Sequence, residues 1–381
     1  MKQHTPEYIL FANTRWFLIN FKMPLILAAS NLGFNVKCIY LREGNTINTD
    51  NYKNVNSTAV QFIRFNLSVL LSFYVNYLRN LPSKADIHRS SCMAVFTIGP
   101  IMLSTIIPLG RHFSISIVIE GLGRIFSSDS LSYRVIKKIV KKLYKYIFKH
   151  CDAVITLNSS DASYLATTKI AEFHKIRLIP GTGLDCQDLI GRFEAKVNTP
   201  LYIDFIGRLV PEKGFYDFIY SQKYFFANNP HHSHIRYRIV APQGDFQKLG
   251  LSTTQHLKSQ GFVLQPYLPD ITDIYSSTAV LVHPSRYSEG LSRVIMESAL
   301  LGIPIVTTAN RGIQELMVPD YKYFLDTTNP YRIAQVISEC LDDHHYFAAI
   351  RGLQRSIIEN NYSEVKSVSD FFLAQGIIAN S

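Results

Sequence analysis

The stretch that decides the fold runs from His283 to Gly312: HPSRYSEGLSRVIMESALLGIPIVTTANRG. Ahead of it, Ala279–Val282 is a short apolar run that reads as a buried strand. A turn follows, carrying Pro284, Ser285, Ser288 and Gly290. Leu291, Val294, Ile295, Ala299 and Leu300 then recur at helical spacing. Gly302 and Pro304 stop that helix, and Ile303–Thr308 begins another buried strand. Glu289 stands just before the helix and Glu297 inside it. A helix start leaves backbone N–H groups without intrahelical partners and carries the positive end of the dipole. With Arg293 beside it, this start suits a phosphate.

Outward from this unit, strands and helices alternate along the whole chain. Tyr8–Ala12 reads as a first strand, Trp16–Leu32 as a helix containing Pro24, and Val36–Leu41 as a second strand. Such a βαβ opening starts a doubly wound domain. The turn Ala12–Arg15 has no glycine, so it is not a dinucleotide fingerprint. Val60–Leu81 is predicted mostly helical, and Ile115–Ile119 is a strand leading into the turn Glu120-Gly121-Leu122-Gly123. Ala153–Leu157 and Ile176–Ile179 are further strands, the second leading into PGTGLD at Pro180–Asp185. The polar run Arg192–Pro200 is the expected boundary, after which Tyr202–Ile206, Ile235–Val240 and Val263–Leu268 restart the alternation. The reading gives an N-terminal Rossmann-like domain over 1–190 and a C-terminal one over 200–362, facing each other across a cleft. Residues 363–381 form a last helical segment expected to pack back on the first domain.

The chain has 381 residues, 47% hydrophobic and 18% charged, enough for two cores. Lys and Arg exceed Asp and Glu by 39 to 29, a net charge of +10 that favours anionic partners. The five cysteines form no CxxC pair, which argues against a disulfide framework or a zinc site and fits a reducing cytoplasm. The first residues, MKQHTPEYILFAN, lack a signal-peptide core. Ser90–Gly110 is the longest uncharged run, but Gly99, Pro100 and Pro108 interrupt it, and it reads as strand then helix rather than a membrane span.

Ser132–His150, SYRVIKKIVKKLYKYIFKH, places Ile136, Ile139, Val140, Leu143 and Ile147 on one side of a helix. Arg134, Lys137, Lys138, Lys141, Lys142, Lys145 and Lys149 fall on an arc roughly 140° wide. Seven like charges with no acid among them repel, and an anionic membrane surface is the expected partner. The bland alternative is a solvated basic face; nucleic acid is not expected, because no stacking aromatics of a known module interleave.

The turn Gly207–Gly214 (GRLVPEKG) follows a strand, where open α/β sheets bind ligands. Arg208 offers a planar fork of donors and Lys213 a movable point charge, together able to neutralise a diphosphate and stabilise its departure. With Glu289 and Glu297 in EGLSRVIMESALLGIPIV, this pattern resembles glycosyltransferase family 4, retaining transferases of the GT-B fold. Pro180–Asp185 resembles the family's linker, and Gly312–Leu316 resembles the segment after the second strand of the unit. ANTRWFLINFKMPLILAASNLGF, FTIGP (Phe96–Pro100) and Gly121–Gly123 resemble a subgroup that builds bacterial O-antigens, capsules and related glycans.

The resemblance implies that Arg208 and Lys213 hold the diphosphate of a nucleotide-sugar donor, UDP-linked by the commoner precedent. Glu297 would bind the ribose. Glu289 would touch the transferred sugar, with backbone N–H groups of Gly290, Leu291 and Ser292 near sugar and phosphate, beside Gly207. Asn13, Thr14, Glu120, Gly121 and Gly123 would line the cleft from the N-terminal domain. Two departures stand out: Asn13 and Thr14 replace the usual glycines of the first turn, and Glu120 stands where many members have His. The acceptor would be a polyprenyl-diphosphate-linked glycan, met on the inner face of the plasma membrane. The family works without metal or cofactor. Asp342-Asp343-His344-His345 gives no metal site by itself, since adjacent residues on a helix point apart.

The spacing bears on mechanism as well. Eight helical residues rise about 12 Å, whereas a retaining hydrolase needs carboxylates about 5 Å apart. Glu289 and Glu297 therefore fit two ends of one elongated ligand better than a nucleophile and its acid. A nucleotide-sugar epimerase or hydrolase of the same fold, or a non-catalytic glycan- or lipid-binding subunit, are the alternatives.

Overall fold

The computed structural model describes residues 6–43, 60–66, 68–71, 91–104, 113–122, 126, 131–181, 183–193, 201–268, 270–286 and 290–378. The chain divides into two compact units, Met1–Gly183 with Glu364–Ser381, and Leu184–Ser363.

The described strands of the first unit are β1 (Glu7–Thr14), β2 (Asn35–Arg42), β3 (Val60–Arg64), β4 (Ser91–Phe96), β5 (Phe113–Ile119), β6 (Ala153–Thr156) and β7 (Ile176–Leu178). All pair in parallel, in the order β3-β2-β1-β4-β5-β6-β7. Parallel strands are covered on both faces, so they read as continuous apolar runs. Tyr8–Ala12 is such a run, buried throughout. Thr14 belongs to β1 and also caps the helix Arg15–Asn31, its hydroxyl accepting from the Phe17 N–H.

Val60–Arg64 is a strand, not the start of the helix expected over Val60–Leu81. Val60, Phe62 and Ile63 satisfy a helical stripe and a half-buried strand equally well. Pairing with β2, from Val36 opposite Val60 to Tyr40 opposite Arg64, settles it. Within Ser90–Gly110 the strand Ser91–Phe96 is followed by the helix Ile98–Leu103. Among the described residues, no helix is long and apolar enough to cross a membrane.

The C-terminal helix Glu364–Ala374 packs on the first unit. Tyr8 Oη donates to Gln375 Oε1 at 2.6 Å, Tyr8 meets Phe372 edge-on at 5.8 Å, and Phe371 stacks with Phe96 at 6.2 Å.

The second unit repeats the plan with β8 (Tyr202–Ile206), β9 (Arg236–Ala241), β10 (Val263–Pro266), β11 (Thr278–His283), β12 (Ile305–Thr308) and β13 (Phe324–Leu325). They too pair in parallel, in the order β10-β9-β8-β11-β12-β13. The order reverses between β8 and β11, and such a switch point opens a crevice at the carboxyl ends of the strands. The unit begins at Leu184, earlier than the polar run Arg192–Pro200: Leu184 N–H donates to Tyr362 O at 2.9 Å, and Asp185 caps the helix Cys186–Arg192. Under the sheet, Arg238 grips Asp204 with two bonds of 2.7 Å, both side chains buried.

Candidate functional site

The loops after β8 and β11 carry most of the donor-site residues read from sequence, and these strands flank the switch point of the second unit. Gly207 follows β8 directly, its N–H donating to Val240 O at 3.0 Å. Arg208 follows with its side chain 58% exposed. Its Nε donates to Asp245 Oδ2 at 2.9 Å, and the Leu209 N–H donates to the same oxygen at 3.1 Å. Asp245 is buried in the first turn of the helix Gln243–Leu249. One buried carboxylate thus fixes both the loop and the guanidinium at its Nε edge. Nothing in the spacing of Asp245 marks it, since it comes from the next βα connection.

Lys213 is half-buried at the end of the short 3-10 turn Pro211–Lys213. Gly214 follows at φ +73°, where an L side chain is strained. A Cβ there would lie 2.3 Å from Pro284 O and 2.7 Å from Pro284 Cγ. This close approach joins the two loops, and the Arg286 N–H donates to Glu212 O at 2.8 Å to close the joint. The loop after β12 is tied in as well: Thr308 Oγ1 and Asn310 Nδ2 both donate to Ser285 O, at 2.6 and 2.5 Å. Gly312 and Ile313 are buried just beyond.

Glu289 lies outside the described residues. Gly290 and Ser292 are buried and Leu291 half-buried, directly ahead of the helix Arg293–Leu301. Glu297 is buried inside that helix. Its Oε1 accepts from Arg293 Nε and its Oε2 from Tyr275 Oη, each at 2.8 Å. Burial and then the Glu297 charge push the Tyr275 phenol well above its ordinary range, so Tyr275 stays a donor. Glu297 is thereby held in one orientation, with a further lone pair on each oxygen.

Tyr267, just past β10, was not singled out by sequence. Its N–H donates to Ala241 O at 3.1 Å and its ring is 41% exposed. Its phenol is pushed up to about 12, first by desolvation and then by Asp245, with Arg208 opposing and Glu297 adding. Asp245, Arg208 and Glu297 all act electrostatically on Tyr267.

In the first unit, the β1/β4 switch point holds the next group. The Asn13 N–H donates to Thr97 Oγ1 at 3.1 Å, and a Cβ on Gly99 would meet Asn13 Oδ1 at 2.5 Å. Thr97 adopts φ +65°, a strained backbone that tends to mark functional sites. Thr14 caps a helix. Glu120 follows β5 directly and pairs with Lys22 at 2.8 Å. Lys22 is only 2% exposed and lies over the rings of Phe17 and Phe96, at 5.2 and 4.8 Å. An apolar helical stripe hides such a lysine from sequence reading. Gly121, at φ +151°, follows Glu120; Gly123 is outside the described residues.

The basic helix spans Leu131–His150, but its faces differ from the expectation. Tyr144, Ile147 and Phe148 are buried, whereas Val135 and Ile139 are 60% and 61% exposed, with Ile136 and Tyr146 exposed beside them. The aromatic pair turns the buried face toward Lys137 and Lys141. Lys137 Nζ donates to Phe126 O at 2.7 Å, and Lys141 lies over the Tyr164 ring at 5.2 Å. These two basic residues serve their own unit. Arg134, Lys138, Lys142, Lys145 and Lys149 remain exposed, next to the apolar strip of Val135, Ile139 and Tyr146.

Comparison with known proteins agrees with this geometry. Residues 188–364 match the family described as Glycosyl transferases group 1. A capsular polysaccharide biosynthesis glycosyltransferase, CapM of Staphylococcus aureus, is 22% identical over 241 residues, 58% of this chain. The match spans 62% of that protein's length. Anabaena HepE in complex with UDP superposes with a TM-score of 0.72 at 15% identity, over 98% of this chain and 100% of that one. Sucrose-phosphate synthase from Thermosynechococcus elongatus gives 0.69 at 14%, over 96% and 97%. The fold is GT-B: two α/β units, each built on a parallel sheet.

Proposed function

We propose that this chain, whose residues 188–364 match the group 1 glycosyl transferase family, is a retaining glycosyltransferase of surface polysaccharide assembly. It moves one sugar from a UDP-sugar to a lipid-linked glycan. The observation that carries this reading is Arg208 held by buried Asp245 at the β8/β11 switch point, one loop from Lys213 and joined through Gly214 to the loop that precedes Gly290–Ser292. Arg208 and Lys213 take the diphosphate and stabilise it as it leaves. Glu297, already oriented by Arg293 and Tyr275, accepts from the ribose hydroxyls. Glu289 meets the transferred sugar, and Tyr267 offers its ring to the base. HepE, which binds UDP, and CapM, which acts in capsule synthesis, support the donor and pathway class.

The membrane reading rests on the exposed face of Leu131–His150. Five basic side chains meet anionic headgroups, each adding about 1 kcal/mol near the surface, and the strip Val135, Ile139 and Tyr146 enters the interface beside them. On this proposal the enzyme works peripherally on the cytoplasmic leaflet, beside a polyprenyl-diphosphate acceptor.

Transfer is tested with purified chain, a panel of UDP-sugars and a synthetic polyprenyl-diphosphate glycan, with the product's anomeric configuration read by NMR. Product that keeps the donor's configuration, formed only with acceptor, supports the proposal. Donor consumed without acceptor would instead indicate a hydrolase or epimerase. Full function after Lys213→Ala would indicate a binding subunit. Vesicles containing anionic lipid should retain the chain, and Lys142→Glu with Lys145→Glu should release it.

A further inference from the structure

The acid–histidine run at Asp342–His345 is split by the fold. Asp343 caps the helix His344–Tyr362 and pairs with Lys322 and Tyr323. Asp342, at the end of the helix Pro330–Asp342, turns the other way and meets His232 from a turn 110 residues earlier, with His232 Nε2 and Asp342 Oδ1 3.1 Å apart. His231 stands beside them, its ring 4.2 Å from that of His232. Among the described residues, the ligand atoms of His231, His232 and Asp342 all lie within 4.8 Å of one another.

We propose that His231, His232 and Asp342 form a three-ligand site for a divalent transition-metal ion of the zinc type. Zinc binds imidazole nitrogen and carboxylate oxygen at about 2.0–2.2 Å, so two ligands of a tetrahedral ion stand roughly 3.4 Å apart. The His232–Asp342 pair, at 3.1 Å, is already near that spacing, and His231 has at most about 1.4 Å to close. Two imidazoles and one carboxylate suit zinc, nickel or copper better than magnesium or calcium. The fourth position is left to water.

The site is built as well as spaced. His232 is 13% exposed and stacks on Phe225 at 5.9 Å with planes 16° apart. Asn229, just before the turn, accepts from Ser338 Oγ at 2.6 Å and donates to Phe225 O at 2.9 Å. The Asn229–Ser338 bond holds the turn Pro230–His232 against the helix that carries Asp342. A cavity of about 260 Å³ lies alongside, lined in part by Asn229, Ser338 and Glu339. The ion would staple the connection after β8's helix, Phe215–Asn228, to the end of Pro330–Asp342, and so stabilise the second unit. The site is separate from Arg208, Lys213 and Glu297, and its existence does not depend on the transfer reaction.

An ordinary ion pair between His232 and Asp342 is the competing account, and His231 separates the two. The untagged full-length chain is titrated with Zn²⁺ by calorimetry and with Co²⁺ by visible absorption, and melting is followed with and without Zn²⁺. The site predicts one tight ion per chain, a four-coordinate Co²⁺ band and a raised melting temperature. His231→Ala, an exposed change that leaves the His232–Asp342 contact intact, should weaken binding more than about tenfold, since even outer-layer substitutions cost 10–100-fold. Asp342→Asn should do the same, and the His344→Ala, His345→Ala double variant should bind normally. Absence of a one-to-one complex, or unchanged binding in His231→Ala, would overturn the site.

Discussion

Gly214→Ala tests the joint between the β8 and β11 loops. The backbone at φ +73° costs an L residue about 1–2 kcal/mol in itself. The added methyl would also lie 2.3 Å from Pro284 O, against an ordinary contact of 3.4 Å or more, so the loops must part by about 1 Å. A misplacement of that size near a reacting centre costs on the order of 100-fold in rate. Gly261→Ala is the control: it carries the same kind of strain, at φ +89°, with nothing within 4 Å of the new methyl. Urea denaturation and steady-state transfer are measured for both. Gly214→Ala should lose at least about 1–2 kcal/mol of stability and about 100-fold in kcat/KM. Gly261→Ala should lose stability but keep its rate. If Gly214→Ala transfers sugar as well as Gly261→Ala, the joint between these loops does not organise the site.

Other outcomes follow from neighbouring groups. Arg238→Met leaves the buried Asp204 carboxylate without its charged partner, with only the Thr278 hydroxyl still donating to it, and should cost about 3–5 kcal/mol in urea denaturation; adding Asp204→Leu should recover much of it. Tyr267→Ala should weaken UDP binding about tenfold or more, within the 1–3 kcal/mol typical of base stacking, while Tyr267→Phe stays close to wild type. Because the Tyr267 phenol is pushed up to about 12, calorimetric UDP affinity should show no break from it between pH 6 and 9. The Asp343 carboxyl is held down at about 2 by hydrogen bonds from Lys322 and then Tyr323, against about 3.9 when unfolded. Its stabilisation is present above pH 4 or so and is lost as pH falls toward 2. The stability gap between wild type and Asp343→Asn should therefore close over that window.

Local pattern was legible where one period dominated. Tyr8–Ala12, Ile115–Ile119 and the β11–helix–β12 unit read directly from apolar runs and glycine stops. Val60–Arg64 did not, because five residues satisfy two periods and an edge strand is decided by its neighbour. The basic helix was legible in extent but not in rotation: a wheel weighs Ile136 and Ile139 equally with Ile147, whereas packing buries the larger Tyr144 and Phe148. The turn that carries Arg208 and Lys213 and the helix that carries Glu297 were legible, but the groups that hold Arg208 and Glu297 were not. Asp245 lies 37 residues from Arg208 and Tyr275 lies 22 from Glu297, partnerships set by strand order. Lys22 reads as part of an amphipathic helix until Glu120 is placed beside it.

Binding of a nucleoside diphosphate to the second unit through Arg208 is measured by calorimetry. UDP, GDP, ADP, dTDP and CMP are titrated into wild type and Arg208→Ala, with circular dichroism confirming that the variant folds. UDP should bind wild type in preference to the others, and Arg208→Ala should weaken it at least about tenfold, the loss of one charge-assisted contact of about 1.5–3 kcal/mol. No nucleotide binding at millimolar concentration, or UDP binding unchanged by Arg208→Ala, would contradict binding through Arg208.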